Sequence, residues 1–438
     1  MSKTKIAIVV ATNPSIWQSC RIITPNIDKC YRHIRDQSKG SIELEYFNYH
    51  NDQSELELLD EVKRTAAWSP DIVVFMDHQP HPLAFLNHFK DLAKATVRYV
   101  FHVYGDFTLF TTDWLSVGHM IPNSKCQFIA ASNKQVELIS SFMENPDNVF
   151  YCPFPVDTER FYFDPKQRKQ ARKDLGIKDD EHVFLYTGRL SPQKRTVDLI
   201  RGFVSAFKDS KKPPLLIFAG GFDHLGVPYL GQYLSSNEYQ SNIYQLLSNL
   251  PENLKARVHY IGSLDPEELV SYYMAGDTFV SLSLHNDEDY GMSPIESLLC
   301  GSRAILTDWA GYGSFAIDRE FCELVPVEFT NHRLTYDLKL FIDLLKRNEQ
   351  AGIQNDEVRK QIHDVYTEKF SIAAGCKIIE NIILKGSCDF KGFSNKLMTM
   401  SALFKSNPYS PFGHSRLPLA YNSFYEDIYA PYFRPTQK

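Results

Sequence analysis

The chain has 438 residues, too many for one hydrophobic core, so its length predicts two or three domains. Hydrophobic residues make up 43% and charged residues 23%, which is typical of a globular chain and leaves no apolar run near the roughly 18 residues of a membrane span. Lysine and arginine number 47 against 53 aspartate and glutamate, and the net charge of -6 argues against a general nucleic-acid binder, which would carry a basic excess.

The amino terminus and the cysteines both predict a cytoplasmic protein. The first residues lead directly into a short apolar strand and contain no signal-peptide cleavage pattern. The eight cysteines are scattered singly, with no close pair at the spacing of a zinc site. We therefore expect reduced thiols and neither a disulfide scaffold nor a metal centre.

Short runs rich in valine, isoleucine and phenylalanine recur along the first half, and segments with helical spacing lie between them. These runs predict strands at residues 6–11, 42–49, 72–76, 97–104, 128–131 and 149–153. Strands that are apolar on both faces and alternate with helices form a parallel sheet covered by helices. Residues 1–160 are therefore predicted to form one Rossmann-like domain.

The first strand excludes two common uses of such a domain. Residues 11–15 contain no glycine, and the first glycine of the chain is Gly40. A dinucleotide site needs a glycine-rich turn here, because only glycine lets the backbone approach a pyrophosphate closely. The P-loop pattern G-x-x-x-x-G-K-[ST] is also missing from the sequence. These features argue against a nicotinamide or flavin enzyme and against a P-loop nucleotidase.

A charged segment at 157–180 interrupts the alternation of strands and helices, and we place the linker between the domains near residues 155–164. A second series of strands is predicted at 183–186, 215–219, 258–261, 278–284, 303–307 and 324–327. The predicted fold class is therefore α/β, with a second Rossmann-like domain at 165–370 that faces the first across a cleft. Ligands of such sheets bind at the carboxyl ends of the strands.

The turn after the strand at 183–186 is a candidate phosphate site. Gly188, Arg189 and Lys194 lie between this strand and the next predicted helix. A guanidinium fork and an ammonium suit two phosphates bound together. Such a turn alone is usually a solvated helix start, but a second candidate anion site in the same domain favours the phosphate interpretation.

That second site begins where residues 285–296 lead into a helix. Ser293 is expected to be the N-cap, Pro294 the first helical residue, and Glu296 the acid that completes a capping box. The positive end of this helix would then attract an anion.

The loop before this helix carries the other candidate residues. Tyr290, Gly291 and Met292 would present free N–H groups at the helix terminus. Spacing alone leaves an alternative open, in which Glu296 only caps its helix and Glu288 is an ordinary loop acid.

Together these segments resemble the retaining nucleotide-sugar glycosyltransferases of GT-B fold, specifically family four, the group 1 enzymes. Glu288 and Glu296 match the E-x7-E motif, and residues 188–194 resemble the G-R-L-x-x-x-K turn. The resemblance covers roughly residues 95–375 and is strongest from 186 to 308. It departs from the family after the first strand, where paired glycines are missing, and at Arg195, which stands in place of a glycine.

The resemblance implies a role for each candidate in binding a nucleotide diphosphate sugar of UDP or GDP type. Arg189 and Lys194 would bind the diphosphate, Glu296 would accept hydrogen bonds from the ribose hydroxyls, and Glu288 would face the transferred sugar. The remaining donor-binding candidates are Tyr290, Gly291, Met292, Ser293 and Gly262. No cofactor and no metal are expected.

The first half contributes one further catalytic candidate, so that the set is Glu288, His102, Arg189 and Lys194. His102 ends the strand predicted at 97–104, and the resemblance implies a place near the acceptor. A lone histidine at a strand end is more often structural, so that alternative stays open. For residues 77–81, which end the preceding strand, the structural alternative is favoured.

The predicted activity is that of a hexosyltransferase in polysaccharide biosynthesis, with a saccharide or glycoconjugate acceptor and retention of configuration. Two alternatives remain, a GT-B phosphorylase or sugar-phosphate synthase and a non-catalytic carbohydrate-binding protein on the same fold. We expect no nucleic-acid partner. The sequence leaves open the oligomeric state, peripheral membrane contact, and the identity of sugar and acceptor.

The carboxy-terminal segment, residues 371–438, is predicted to return to the N-terminal domain. The family commonly ends with a helix that crosses back, and residues 372–384 have the apolar spacing for it. The remainder is dense in phenylalanine and tyrosine, which argues against an exposed disordered tail. We expect an ordered strap on the N-terminal domain, and the alternative is an arm that binds a partner or a membrane.

Overall fold

The computed structural model describes residues 3–11, 19–49, 53–76, 82–223, 236–284, 286, 288–331, 333–384, 388–406 and 419–436. These residues belong to two compact units. One comprises Met1–Val156 with Phe370–Pro408, and the other comprises Asp157–Lys369 with Tyr409–Lys438. We call them the first domain and the second domain.

The first domain alternates strands and helices as the sequence predicts. Its elements up to residue 156 are β1 (Thr4–Ala11), α1 (Cys20–Gln37), β2 (Ile42–Tyr49), α2 (Glu55–Trp68), β3 (Ile72–Met76), α3 (Leu83–Phe89), β4 (Arg98–His102), α4 (Thr111–Met120), β5 (Lys125–Ala130), α5 (Asn133–Ser140) and β6 (Val149–Tyr151). These strands are parallel in the order β2-β1-β3-β4-β5, with β6 beside β5.

Register places aromatic rings side by side in the core of the first domain. Phe75, Phe101 and Phe128 are partners on β3, β4 and β5, and their side chains lie on one face of the sheet. The rings of neighbouring strands stack with centroids 5.1 Å apart in both pairs. Trp114 of α4 meets Phe101 edge-on at 5.8 Å. This burial of aromatic surface is a large favourable term for the sheet.

The second domain repeats the alternation. Its elements up to residue 370 are α6 (Pro165–Asp174), β7 (Val183–Thr187), α7 (Thr196–Phe207), β8 (Leu215–Ala219), α8 (Ser236–Ser248), α9 (Glu252–Lys255), β9 (Val258–Tyr260), α10 (Pro266–Ala275), β10 (Thr278–Ser281), α11 (Met292–Leu299), β11 (Arg303–Thr307), β12 (Cys322–Val325), β13 (Val327–Thr330), β14 (Arg333–Tyr336), α12 (Leu338–Gln350) and α13 (Asp356–Phe370).

The strand order in this second sheet identifies where a ligand would bind. The order is β12-β11-β10-β7-β8-β9, and all pairs are parallel. Numbered from β7, this is the doubly wound order 3-2-1-4-5-6. The chain reverses direction across the sheet between β7 and β10, and such sheets bind ligands at the carboxyl ends of the strands beside that reversal.

The fold class predicted from the sequence is confirmed, and each predicted strand overlaps a strand of one of the two sheets. The antiparallel hairpin β13–β14 was not predicted. Of the helices that are described, none is long and apolar enough to cross a membrane.

The carboxy-terminal segment divides between the two domains, so the prediction that all of it returns to the first domain is wrong. The helix α14 (Ile372–Leu384) packs on α1, β15 (Cys388–Asp389) pairs antiparallel with β5, and α15 (Asn395–Ser406) packs on α4. The last helix, α16 (Leu419–Phe433), belongs instead to the second domain and packs on β13. The hairpin offers an aromatic partner there, because the ring of Phe329 stacks on that of Tyr425.

Candidate active site

Glycines bring the loops after β7, β8 and β9 into direct backbone contact. The N–H of Gly188 donates to the carbonyl of Ala219 at 3.0 Å, and the N–H of Gly220 donates to the carbonyl of Gly262 at 2.8 Å. A Cβ on Gly220 would lie 1.8 Å from the carbonyl oxygen of Gly188. No side chain fits there, so glycine at 220 is what lets the loops after these neighbouring strands meet.

The loop after β7 carries the two predicted phosphate ligands. The N–H of Leu190 donates to the carbonyl of Gly221 at 2.8 Å, which fixes the loop beside Arg189. The Arg189 guanidinium forms an ion pair with Asp223, and 27% of its side chain stays exposed. Lys194 forms an ion pair with Glu288, and both of these side chains are largely buried. The structure therefore brings the turn and the first acid of the E-x7-E motif together.

Glu288 is held from three directions. Its carboxylate accepts a hydrogen bond from the Ser283 hydroxyl at 2.8 Å, in addition to the ion pair with Lys194. Its backbone carbonyl accepts from the N–H of Gly311 at 2.9 Å. Thr307, the last residue of β11, donates its hydroxyl to the carbonyl of Ser283 at 2.6 Å. The ends of β10 and β11 therefore position the acid.

The predicted capping box is wrong. The helix α11 starts at Met292, its N-cap is Gly291 with φ +105°, and no side chain caps it. Ser293 is thus the second helical residue and Pro294 the third, where the missing N–H is harmless because the first helical N–H groups have no partner within the helix. A Cβ at 291 would lie 2.6 Å from the Tyr312 ring, so the tight turn requires glycine.

Glu296 does not reach back to the start of its helix because it is buried against Tyr273 of α10. Only 4% of the residue is exposed, and burial raises the pKa of its carboxyl to about 7, although hydrogen bonding to Tyr273 lowers it. The Tyr273 hydroxyl lies 2.8 Å from that of Thr187, the last residue of β7. The acid is therefore linked to the same strand end that leads to Arg189.

Two further donor-binding candidates lie at the rim of this arrangement. Gly262 follows β9 with φ +76°, and a Cβ there would meet no atom within 4 Å, so the backbone borders open space. Tyr290 is buried, and its ring meets Phe315 edge-on at 5.2 Å. Tyr290 therefore packs beneath the loop rather than presenting its side chain to solvent.

Sequence reasoning missed the residues that hold the candidates in place. Asp223, Ser283 and Tyr273 bind Arg189, Glu288 and Glu296 respectively. For Asp223 a signal existed, since it is an acid just after a Gly-Gly turn at a strand end. Ser283 and Tyr273 carry no comparable signal, because serine in a strand and tyrosine in a helix are common core residues.

His102 belongs to the first domain and is buried there. Its Nε2 lies 2.9 Å from the Tyr31 hydroxyl, and only 2% of the residue is exposed. Burial lowers the pKa of its imidazole to about 3, so the ring is neutral near pH 7. Its observed contact is with α1. Residues 77–81 lie outside the described residues. Across the described part of the chain, no group of three His, Cys, Asp or Glu is placed to hold a metal ion.

Comparison with known proteins relates the second domain to a family. Residues 167–355 match the model described as glycosyl transferases group 1. The second domain is a group 1 glycosyltransferase domain. The fold agrees, since the structure of Anabaena HepE in complex with UDP superposes with a TM-score of 0.61 at 15% identity and covers 87% of this chain and 100% of that one. The chain has the GT-B fold.

Curated relatives match part of the chain. The α-monoglucosyldiacylglycerol synthase of Streptococcus pneumoniae is 29% identical over 139 residues, 31% of this chain and 26% of the relative. A D-inositol 3-phosphate glycosyltransferase of Geodermatophilus obscurus is 27% identical over 170 residues, 39% of this chain and 35% of the relative. The match thus spans about a third or less of the length of each.

The close approach of the loops after β7 and β8 can be tested with substitutions at two adjacent glycines. We expect Gly220→Ala to lower the melting temperature by several degrees or to prevent folding, because the new methyl group would overlap the Gly188 carbonyl oxygen. Gly221→Ala is the matched control, since its Cβ would meet only the Ser263 hydroxyl, at 3.4 Å. Thermal unfolding of both variants is the measurement, and equal melting temperatures would show that the contact does not constrain the fold.

Proposed function

We propose that this chain transfers a hexose from a nucleotide diphosphate sugar to a saccharide or glycoconjugate acceptor, with retention of anomeric configuration. The observation that carries the proposal is the pairing of Lys194 with Glu288 between the loops after β7 and β10, inside a group 1 domain. The lysine of one loop meets the acid of the other loop where the strand order of the sheet reverses. A nucleotide diphosphate sugar has a charged diphosphate and a neutral sugar, which a cation and a hydrogen-bond acceptor at one place could bind together.

The two cations would bind the donor diphosphate. Arg189 and Lys194 are each paired with a carboxylate of the chain, so the two positive charges are balanced by Asp223 and Glu288. A diphosphate would take over these cations, with charge-assisted hydrogen bonds. The N–H groups at Gly291, Met292 and Ser293 would add the positive end of α11.

The two acids would recognise the sugars on either side of the diphosphate. Glu296 would accept hydrogen bonds from the ribose hydroxyls, and its ionised form is the better acceptor. Glu288 would face the transferred hexose once the diphosphate has replaced it on Lys194. Gly262, which borders open space, would let the nucleoside approach the backbone.

The reaction would be a front-side displacement. The bond between the anomeric carbon and the diphosphate oxygen breaks, the acceptor oxygen bonds to the same face, and its proton passes to the departing phosphate. Negative charge grows on the diphosphate as it leaves, where Arg189, Lys194 and the start of α11 are already fixed. This is electrostatic stabilisation by preorganised groups. No step is assigned to His102, whose ring is buried against Tyr31.

Similar proteins indicate which donor to try first. Solved structures of Anabaena HepE contain UDP-glucose, or UDP together with glucose, and the pneumococcal relative is named for a glucosylated lipid. UDP-glucose is therefore the first donor of a panel of UDP- and GDP-sugars. Binding to the native state alone would raise the melting temperature. Formation of a sugar phosphate from a saccharide and free phosphate, with no nucleotide sugar consumed, would favour a phosphorylase instead.

The phosphate assignment predicts a selective loss of affinity. Lys194→Ala should weaken binding of the nucleoside diphosphate by roughly 10- to 150-fold, since charge-assisted hydrogen bonds contribute about 1.5–3 kcal/mol. Binding of the parent nucleoside should change less than about threefold. Lys212→Ala is the matched control, because Lys212 pairs with Asp180 at the exposed surface. Calorimetric titration measures all three proteins, and equal losses for nucleoside and diphosphate would reject the assignment.

The carboxyl of Glu296 predicts a pH dependence of donor binding. With its pKa raised to about 7, the group is mostly ionised at pH 8 and mostly protonated at pH 6. If the ribose hydroxyls require the ionised form, a nucleotide sugar should bind about tenfold more weakly at pH 6 than at pH 8. Glu296→Gln should bind weakly at both values and show no such change. A wild-type affinity independent of pH over this range would exclude the ribose contact.

A further inference from the structure

The last helix of the chain contacts the loop that carries Glu288. The Tyr425 hydroxyl of α16 donates to Asn286 Oδ1 at 3.0 Å, and this hydrogen bond is buried. Asn286 stands two residues before Glu288, in the segment between β10 and α11. A residue near the end of the chain is therefore tied to the segment that holds the candidate acid.

The end of α16 and the residues that follow it contact the neighbouring loop as well. The backbone N–H of Thr436 donates to Asp308 Oδ2 at 2.8 Å, and the Thr436 hydroxyl donates to Oδ1. The ring of Tyr432 meets that of Trp309 edge-on at 5.6 Å. Asp308 and Trp309 directly follow β11, so α16 binds the loops after both β10 and β11.

These two loops meet at Glu288 itself. Gly311, two residues after Trp309, donates its N–H to the Glu288 carbonyl at 2.9 Å. A Cβ on Gly311 would lie 2.4 Å from the carbonyl oxygen of Asp289, so the two backbones are in close contact. A displacement of the loop after β11 would therefore displace Glu288.

Aromatic packing holds α16 on the second domain. Phe329 of the hairpin β13–β14 stacks on Tyr425 and on Phe433, with ring centroids 5.6 Å and 6.1 Å apart. Tyr425, Tyr429 and Tyr432 are each 1% exposed or less. Buried aromatic packing of this extent fixes the helix on its domain, and a fixed helix can hold a loop in one place.

We propose that α16 is a positioning element for the sugar-transfer step, in which Tyr425, through Asn286, and Thr436, through Asp308, hold Glu288 in its reactive position. This inference rests on the proposed function of Glu288. The acid lies in a loop rather than in a helix or strand, and a displacement of about 1 Å can cost on the order of a hundredfold in rate. Supporting hydrogen bonds from residues that do not touch the substrate are the usual means of preventing it.

The contacts of the loop after β7 indicate which kinetic constant should change when a contact to α16 is lost. Arg189 and Lys194 belong to that loop, whose backbone bonds to Gly221 and, from Leu284, to Gln193 do not involve α16. Because Lys194 pairs with Glu288, loss of a contact to α16 should weaken donor binding slightly, but it should lower kcat much more. A role in general stability would instead lower the melting temperature and the fraction of active protein.

The test is Tyr425→Phe in the full chain, with Tyr46→Phe as the control. The first variant loses the hydroxyl bound to Asn286 and keeps the stacked ring. In the control the same change removes a hydroxyl that donates to Asp28 at 2.5 Å, within the first domain. We expect kcat with the nucleotide sugar to fall about 10- to 100-fold in Tyr425→Phe only. Its KM should stay within about threefold and its melting temperature close to wild type.

Two further measurements separate the outcomes. Hydrogen exchange at the Gly311 amide, which bonds the Glu288 carbonyl, should quicken in Tyr425→Phe and not in Tyr46→Phe, and it needs no substrate. In Asn286→Ala, adding Tyr425→Phe should have little further effect on kcat. Unchanged exchange, unchanged kcat, or equal effects in both tyrosine variants would overturn the positioning role. A wild-type protein that turns over no nucleotide sugar, with the exchange difference present, would contradict the proposed function alone.

Discussion

The second domain depends on a single buried carboxylate, that of Asp277. It is 1% exposed in its side chain and bonds three arginines, Arg168 and Arg172 of α6 and Arg359 of α13, as well as the N–H of Val183 at 2.9 Å. Removing one partner of such a buried charge typically costs about 3–5 kcal/mol, because the remaining charge is left without compensation. The arginines are compensated further, since Arg168 donates to three carbonyls at the end of α10.

This arrangement fixes the amino ends of the strands whose carboxyl ends carry the site. Asp277 precedes β10 and Val183 begins β7, so one carboxylate ties together the two strands between which the sheet reverses. At the other end, the loops that follow them bring Lys194 and Glu288 into contact. The charges at the two ends serve different purposes. Those around Asp277 are buried and hold the fold, whereas 27% of the Arg189 side chain is exposed.

The sequence predicted what depends on local pattern and missed what depends on burial. Apolar runs located the strands, and the resemblance of Glu288, Glu296 and the turn at 188–194 to family motifs located the group 1 domain. The capping box was wrong because spacing describes the helix alone, whereas Glu296 is buried against Tyr273. The roles of Arg168 and Arg172 were hidden for the same reason, since the charged segment at 157–180 showed only a break between the two series of strands. The last helix was placed on the wrong domain because its aromatic content predicts that it is buried but does not indicate which domain it packs against.

The most direct test of the account is a crystal structure of the protein with its nucleotide diphosphate bound. We infer that the loops after β7 and β10, with the start of α11, form one diphosphate site. We expect phosphate oxygens within hydrogen-bonding distance of Arg189, Lys194 and the N–H groups at Met292 and Ser293, with Glu288 released from Lys194. A diphosphate bound elsewhere, or bound while the pair of Lys194 and Glu288 stays intact, would contradict it.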